Sequence, residues 1–181
     1  PSLPGWAAKN WLPTLFSETL HLDMSVAGPI ATITIAMSSF VGVLIGGLLS
    51  DKWVIKTLKG RIYTSVIGLT LTLPVLFLLG YGTEIETILV GGILFGLGFG
   101  IFDTNNMPIL CQFVAPRYRA TGYGLMNLAG ISAGAVITEF LGKAEDNGGM
   151  GHIFVLLTIV VVLAIVLQLA TLRPKTVNMT E

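Results

Sequence analysis

The segment IFVLLTIVVVLAIVLQLATL, residues 153–172, decides the fold class, because it holds 20 consecutive residues without a charged side chain. A helix needs about 20 mainly apolar residues to cross the hydrocarbon core of a bilayer. Five further stretches share this character, the first of them the weakest, so the sequence predicts an all-α, polytopic membrane protein. The six predicted spans, with approximate ends, are residues 1–20, 25–50, 62–82, 87–115, 120–142 and 152–172, and residues 173–181 form a tail.

The composition supports the same fold class. Of 181 residues, 53% are hydrophobic and only 11% are charged, with a mean hydropathy of +0.83. A soluble domain carries about a quarter charged residues, so this chain has too few to cover a globular surface. The net charge is zero, which gives no indication of nucleic-acid binding, and the single cysteine, Cys111, excludes an intramolecular disulfide framework. The chain starts without Met and without a signal-peptide layout, which is typical of a piece of a longer protein.

Basic residues predict the orientation of the spans. Eight of the ten Lys and Arg residues follow the second, fourth and sixth spans, whereas the intervening connections are mostly acidic. Cytoplasmic loops carry the excess of Lys and Arg in membrane proteins. The C-terminus and the loop at residues 51–61 are therefore predicted to be cytoplasmic.

Small residues predict where helices meet. Gly92, Gly96 and Gly100 form consecutive small-xxx-small steps, and Gly130 with Gly134 form another. Such steps let helices approach closely in lipid. Ser25, Thr32 and Ser39 recur every seven residues on the second span, and we interpret their hydroxyls as packing groups that bond to their own backbone.

Two stretches resemble the major facilitator superfamily. In GGLLSDKW, residues 46–53, Gly47, Asp51 and Lys52 match the signature of a Gly, three residues, and an Asp followed by a basic residue, with a basic run that reaches Arg61. The Gly that follows the basic residue in the family is absent. The stretch PRYRATGYGLMNLAGISAG, residues 116–134, is similar to the turn after the fourth span, with Pro116, Arg119 and Gly122 in the expected order.

The resemblance implies two six-helix halves, each built from two inverted three-helix repeats, with the substrate site between the halves at mid-membrane. The chain would then be one six-helix half-domain, residues 1–181, and the departure from the full signature favours the C-terminal half, whose partner would be the missing N-terminal half. The resemblance also implies a gating role for the loop residues Gly47, Asp51, Lys52, Arg61 and Arg119. The alternative is that these residues only satisfy the orientation rule.

Polar residues inside the fourth span indicate a binding wall. Asp103 lies near the centre of that span, where a carboxylate costs about 2.5–3.5 kcal/mol unless it faces a cavity or a partner. Asn106 shares its face, whereas Asn105 is predicted to face a neighbouring helix. Pro108 should leave the carbonyl of Thr104 without its helical donor. Asp103 and Thr104 are the candidate ion-coupling residues, and the alternative is a hydrogen-bond network that braces the helices.

The first and fifth spans supply further candidates for substrate binding. Asn10 begins a polar face on the first span, and Lys9 beside it would hold an anionic group unless it lies nearer the membrane edge. Asn127 on the fifth span would orient substrate hydroxyls, with interhelical bonding as the alternative. If Lys9 pairs directly with Asp103, the carboxylate serves as its counter-ion instead.

The sequence thus predicts half of a secondary active transporter in the cell membrane. It would move a small hydrophilic solute, such as a sugar, sugar acid or other organic anion, by alternating access coupled to a proton or sodium ion. No catalytic arrangement, metal site or cofactor motif is predicted, so we expect no enzyme. The alternative is a non-transporting scaffold or receptor on the same fold.

Overall fold

The computed structural model describes residues 10, 12–14, 16–17, 21–81, 85–146 and 150–174. Over these residues the chain is helical and contains no strand. The helices are α1 (Met24–Val54), α2 (Gly60–Tyr81), α3 (Ile85–Asp103), the short α4 (Asn106–Leu110), α5 (Arg119–Asp146) and α6 (Met150–Thr171), with one 3-10 turn at Pro116–Tyr118.

The described helices follow the predicted spans. Helices α1, α2, α5 and α6 match the second, third, fifth and sixth spans, and α3 with α4 matches the fourth. Residues 10, 12–14 and 16–17 are helical too, but most of the first span lies outside the described residues, so the count of six stays a prediction. By length and composition Met24–Val54, Glu86–Leu110 and Pro116–Phe140 could cross a membrane, and the apolar stretches Gly60–Leu76 and Val155–Thr171 are shorter.

Helices α1 and α3 pack in parallel through their small residues. A Cβ added to Gly46 would lie 2.8 Å from the Cα of Ile101, and one added to Gly100 would collide with the backbone carbonyl of Ser39. The contacts advance along both chains in the same direction, as expected for two spans separated by one crossing. The predicted close approach at Gly100 is confirmed, because only a residue without a Cβ fits at this distance.

Helix α2 runs antiparallel to α3 and also contacts α6. A Cβ on Gly68 would lie 2.6 Å from the carbonyl oxygen of Gly98, and one on Gly98 would lie 2.9 Å from Thr72 Cγ2. The amide of Gln168, near the end of α6, donates to the hydroxyl of Ser65, near the start of α2, at 3.0 Å. The directions of α1, α2, α3 and α6 are therefore those that the sequence predicts.

Apolar side chains divide between a buried core and an exposed face. Buried residues from α1, α2, α3 and α6, among them Ile35, Leu76 and Phe95, form one cluster with Leu12 and Phe16. Large apolar side chains such as Met37 and Leu48 are exposed on α1, as lipid-facing residues should be. Helix α5 is different, since it is mostly exposed along its described length.

Candidate functional site

The fourth span is broken between α3 and α4. The backbone N–H of Asn105 donates to the carbonyl of Phe102 at 3.1 Å, instead of to that of Ile101 as in a regular helix. The N–H of Ile109 then bonds the Asn105 carbonyl at 2.9 Å, so that a new helix starts at Asn106. Pro108 has no N–H to offer Thr104. The predicted opening of the helix at Thr104 is confirmed.

Asn105 repairs this break from the buried side. Its side-chain amide donates to the Ile101 carbonyl at 2.9 Å, which replaces the backbone bond that the break removes. The side chain is only 1% exposed, and its Oδ1 has no hydrogen-bond partner within the described part of the chain. Asn105 was predicted to face a neighbouring helix, but its one described bond is to its own. Asn105 therefore stabilises the backbone where the helix is broken.

Asp103 and Asn106 lie on the open side of the same turn. The Asn106 amide donates to Asp103 Oδ1 at 3.0 Å, which confirms that the two residues share a face. Asp103 is exposed, and Asn106 is half-buried. No cation lies within ion-pair distance of Asp103 among the described side chains. Lys9, its proposed counter-ion, lies outside the described residues.

A cavity of about 350 Å³ opens between α1 and α3 next to this turn. Its polar lining comes from Thr32, Ser39 and Asp103, and its apolar lining includes Val43 and Phe99. The Ser39 hydroxyl is buried, with no hydrogen-bond partner in the described region. The cavity therefore combines a carboxylate and two hydroxyls with apolar walls, a surface that can bind a cation or a polar group of a solute.

Sequence reasoning missed Thr32 and Ser39, which were interpreted as packing hydroxyls. Their spacing of seven residues correctly places them on one face of α1. That face borders the cavity beside Asp103, and Ser39 does not bond its own backbone in the described structure. The missing information was the pairing of α1 with α3, which the spacing within one helix does not contain.

The remaining substrate-binding candidates lie on other helices. The amide of Asn10 donates to the hydroxyl of Thr138 at 3.0 Å, which joins the first predicted span to α5. Asn127 is exposed on α5 and does not line the cavity. The structure therefore groups Asp103 with Asn106, but it does not add Asn10 or Asn127 to that group.

The predicted gating loop contains one ion pair among its described residues. Arg61 Nη2 lies 3.6 Å from Asp51 Oδ1, and the Asp51 side chain is 73% exposed. Lys52 is exposed as well. A Cβ on Gly47 would meet nothing within 4 Å, so helix packing requires a glycine at Gly46 and not at Gly47.

Arg119 binds backbone carbonyls instead of Asp51. Its guanidinium donates to the carbonyls of Val114 and Cys111, each at 3.4 Å, and so fixes the turn that precedes α5. The amide of Gln112, which the sequence did not single out, donates to the Leu58 carbonyl at 3.0 Å. This bond brings the loop at 51–61 and the segment at 111–119 to the same end of the bundle, as the distribution of basic residues predicts.

Comparison with known proteins gives the family. Residues 4–180 match the family model described as Major Facilitator Superfamily. The chain belongs to this superfamily. It is 30% identical over 143 residues to a probable anion transporter 5 of Arabidopsis thaliana, a match that covers 74% of this chain and 32% of the relative. It is 26% identical over 155 residues to the voltage-gated purine nucleotide uniporter SLC17A9 of Mus musculus, covering 83% of this chain and 34% of that protein. No solved structure matches significantly.

The superfamily match covers nearly the whole chain, and the helices that are long and apolar enough to cross a membrane agree with it. The chain spans about a third of the length of the relatives that it matches. Within the described residues no group of three or more His, Cys, Asp or Glu side chains could hold a metal ion.

Proposed function

We propose that this chain is the C-terminal six-helix half of a secondary active transporter that moves an organic anion, such as a sugar acid, by alternating access coupled to a proton or sodium ion. The observation that carries the proposal is the cavity beside the broken turn, which Asp103 lines. A carboxylate without a neighbouring cation in the described structure is suited to binding one. The names of both relatives, one an anion transporter and one a nucleotide uniporter, support an anionic substrate.

In this proposal the cation binds at Asp103, and the substrate contacts several spans. Asp103 repels an anion and therefore takes the coupling ion, with the freed carbonyl of Thr104 next to it. Lys9 on the first predicted span meets the anionic group of the substrate, and Asn10, Asn106 and Asn127 orient its hydroxyl groups. The missing N-terminal half supplies the opposite wall. The Asn10–Thr138 bond supports this arrangement, because it brings the first predicted span against α5.

Alternating access requires contacts that form in one state and break in the other. The Asp51–Arg61 pair is long at 3.6 Å and its carboxylate is exposed, which suits a contact that opens at little cost. Gly47 and Lys52 lie on either side of Asp51 in the sequence, and Arg119 holds the turn at the same end of the bundle. We assign these residues to the cytoplasmic gate, with the C-terminus on the cytoplasmic side of the cell membrane.

The test is uptake of a labelled organic anion by the full-length transporter in proteoliposomes, with and without an imposed proton or sodium gradient. Asp103→Asn should remove the response to the gradient. The neutral amide neither takes up a proton nor carries the negative charge that would attract a sodium ion. Coupling between two ligands typically changes affinity by about 5- to 150-fold, so the loss is measurable. The matched control is Asp23→Asn, an exposed carboxylate at the start of α1 that should keep the response. An unchanged response in Asp103→Asn would contradict the coupling role.

One observation favours the second candidate, a scaffold or receptor on the same fold. The Asp103–Asn106 bond gives the carboxylate one hydrogen-bond donor from within the same predicted span, as a bracing network would. Titration of the full-length protein with the organic anion separates a transporter from a scaffold, because only the transporter binds the anion saturably. Uptake into proteoliposomes separates a transporter from a receptor, which would bind the anion without moving it. Uptake that responds to membrane potential but to neither ion gradient would instead indicate uniport.

A further inference from the structure

The turn between α1 and α2, residues 55–59, exposes apolar side chains between lysines. Ile55 is 85% exposed and Leu58 is 42% exposed. Lys56 lies between them and is exposed, as is Lys52 one helical turn earlier. An exposed isoleucine at the tip of a basic turn is unfavourable in water. The turn is therefore suited to a surface that offers anionic groups to the lysines and an apolar layer to the isoleucine.

The length of α1 places this turn at the level of the lipid headgroups. The helix has 31 residues, which correspond to about 46 Å at 1.5 Å per residue. Hydrocarbon and both headgroup layers together measure about 40–45 Å. A helix that begins at one surface therefore ends near the other. Trp53, in the last turn, is half-buried and belongs to a residue type that is enriched at this boundary.

The charges of the turn favour an anionic partner. Asp51 is the one acidic residue between positions 51 and 61, and Arg61 lies 3.6 Å from it. Lys52, Lys56 and Lys59 are then left without an acidic partner in the described structure. The bond from Gln112 uses only the main-chain carbonyl of Leu58, so that the leucine side chain stays free to point outward.

We propose that residues 52–59 form a binding site for anionic phospholipid in the leaflet that borders this loop. Ile55 and Leu58 enter the boundary between headgroups and acyl chains, and the three lysines contact the phosphate groups. A soluble anion would satisfy the lysines but leave the two apolar side chains in water. The site uses neither the cavity nor Asp103, and it shares only Lys52 with the proposed gate.

The experiment uses the full-length transporter in nanodiscs that contain phosphatidylcholine with increasing fractions of phosphatidylglycerol. A spin label at Ile55→Cys, in a Cys111→Ser background with any other reactive cysteines of the full chain also replaced, reports exposure to oxygen and to a water-soluble paramagnetic reagent. We expect the label to gain exposure to oxygen and lose exposure to the aqueous reagent as phosphatidylglycerol is added. Each added substitution Lys52→Gln, Lys56→Gln or Lys59→Gln should raise the fraction of phosphatidylglycerol that gives half of the response by about fivefold, until no response remains.

The matched control is Lys143→Gln, which removes an exposed lysine beside Glu139 on α5 and should leave the response unchanged. Three outcomes would overturn the proposal. They are a label that enters pure phosphatidylcholine equally well, a label that stays in water at every composition, and a label that is shielded from both reagents because another part of the protein covers the turn. Because the label reports on a folded, reconstituted protein, a failure to transport would not affect the result.

Discussion

The broken turn between α3 and α4 has a buried side and an open side, and adjacent amides on the two sides do different things. Asn105 is almost fully buried and replaces a backbone bond of its own helix. Asn106 is half-buried and bonds the carboxylate that borders the cavity. Gly46 and Gly47 on α1 show the same division, since only the first contacts α3. Two residues of the same type therefore play different roles here, and the side of the helix on which each lies decides which role it has.

The largest effect on stability should come from the glycine pair. In Gly46→Ala the new Cβ would lie 2.8 Å from Ile101 Cα and 3.0 Å from its carbonyl oxygen, and backbone atoms cannot move aside as a side chain can. We expect a loss of about 1–3 kcal/mol in the free energy of unfolding, the usual cost of overpacking. Gly47→Ala should leave the unfolding temperature unchanged or raise it slightly, because alanine is the better helix former. A thermal-shift comparison of the full-length variants measures both, and equal stabilities would mean that α1 and α3 do not pack at Gly46.

A similar or smaller effect should come from the buried amide. Asn105→Leu leaves the carbonyl of Ile101 without a donor in the apolar interior, which costs about 1–3 kcal/mol. The same substitution also removes Oδ1, which has no partner in the described structure, and this partly offsets the loss. The unfolding temperature of Asn105→Leu should therefore fall, while substrate affinity in the surviving folded protein stays close to that of the wild type. A variant of normal stability would show that the side-chain bond does not support the break.

The smallest effect on stability should come from the open side. Asn106→Ala removes a bond to an exposed carboxylate, so its unfolding free energy should change by less than about 0.5 kcal/mol. Gradient-driven uptake should fall nonetheless, since the amide no longer orients Asp103. If Asn106→Ala lost stability and kept its uptake, the two sides of the turn would have the opposite roles.

Much of this arrangement was predictable from the sequence. The apolar lengths predicted the helices, Pro108 predicted the break, and helical spacing predicted the shared face of Asp103 and Asn106. Excess Lys and Arg correctly grouped the loop at 51–61 with the segment at 111–119. The helix pairs were harder to predict. In lipid the buried and the exposed faces of a helix are both apolar, so hydrophobic periodicity does not tell which face of α1 meets α3.

That limit accounts for the difference between expectation and structure on α1. Thr32 and Ser39 were interpreted as packing groups because nothing in their own helix indicates the cavity. Gly47 was chosen through the family signature for a gating role, which stays a prediction, and the packing contact with α3 belongs to Gly46. Asn105 and Gln112 donate to backbone carbonyls. Every residue has a backbone carbonyl, so the sequence does not indicate which one accepts the bond.

The central claim is that the open side of the turn borders a water-filled path for solute. Chemical labelling at position 39 tests this claim most directly. In a Cys111→Ser background, with other reactive cysteines of the full chain replaced, Ser39→Cys should react with a water-soluble thiol reagent, and the organic anion with its coupling ion should slow the reaction. Leu48→Cys, at a position that is 68% exposed on the apolar face of α1, is the control and should stay unreactive in the membrane. The expected result is a thiol in Ser39→Cys that reacts readily and is protected by the ligands. A thiol in Ser39→Cys that is as unreactive as the control would contradict the claim.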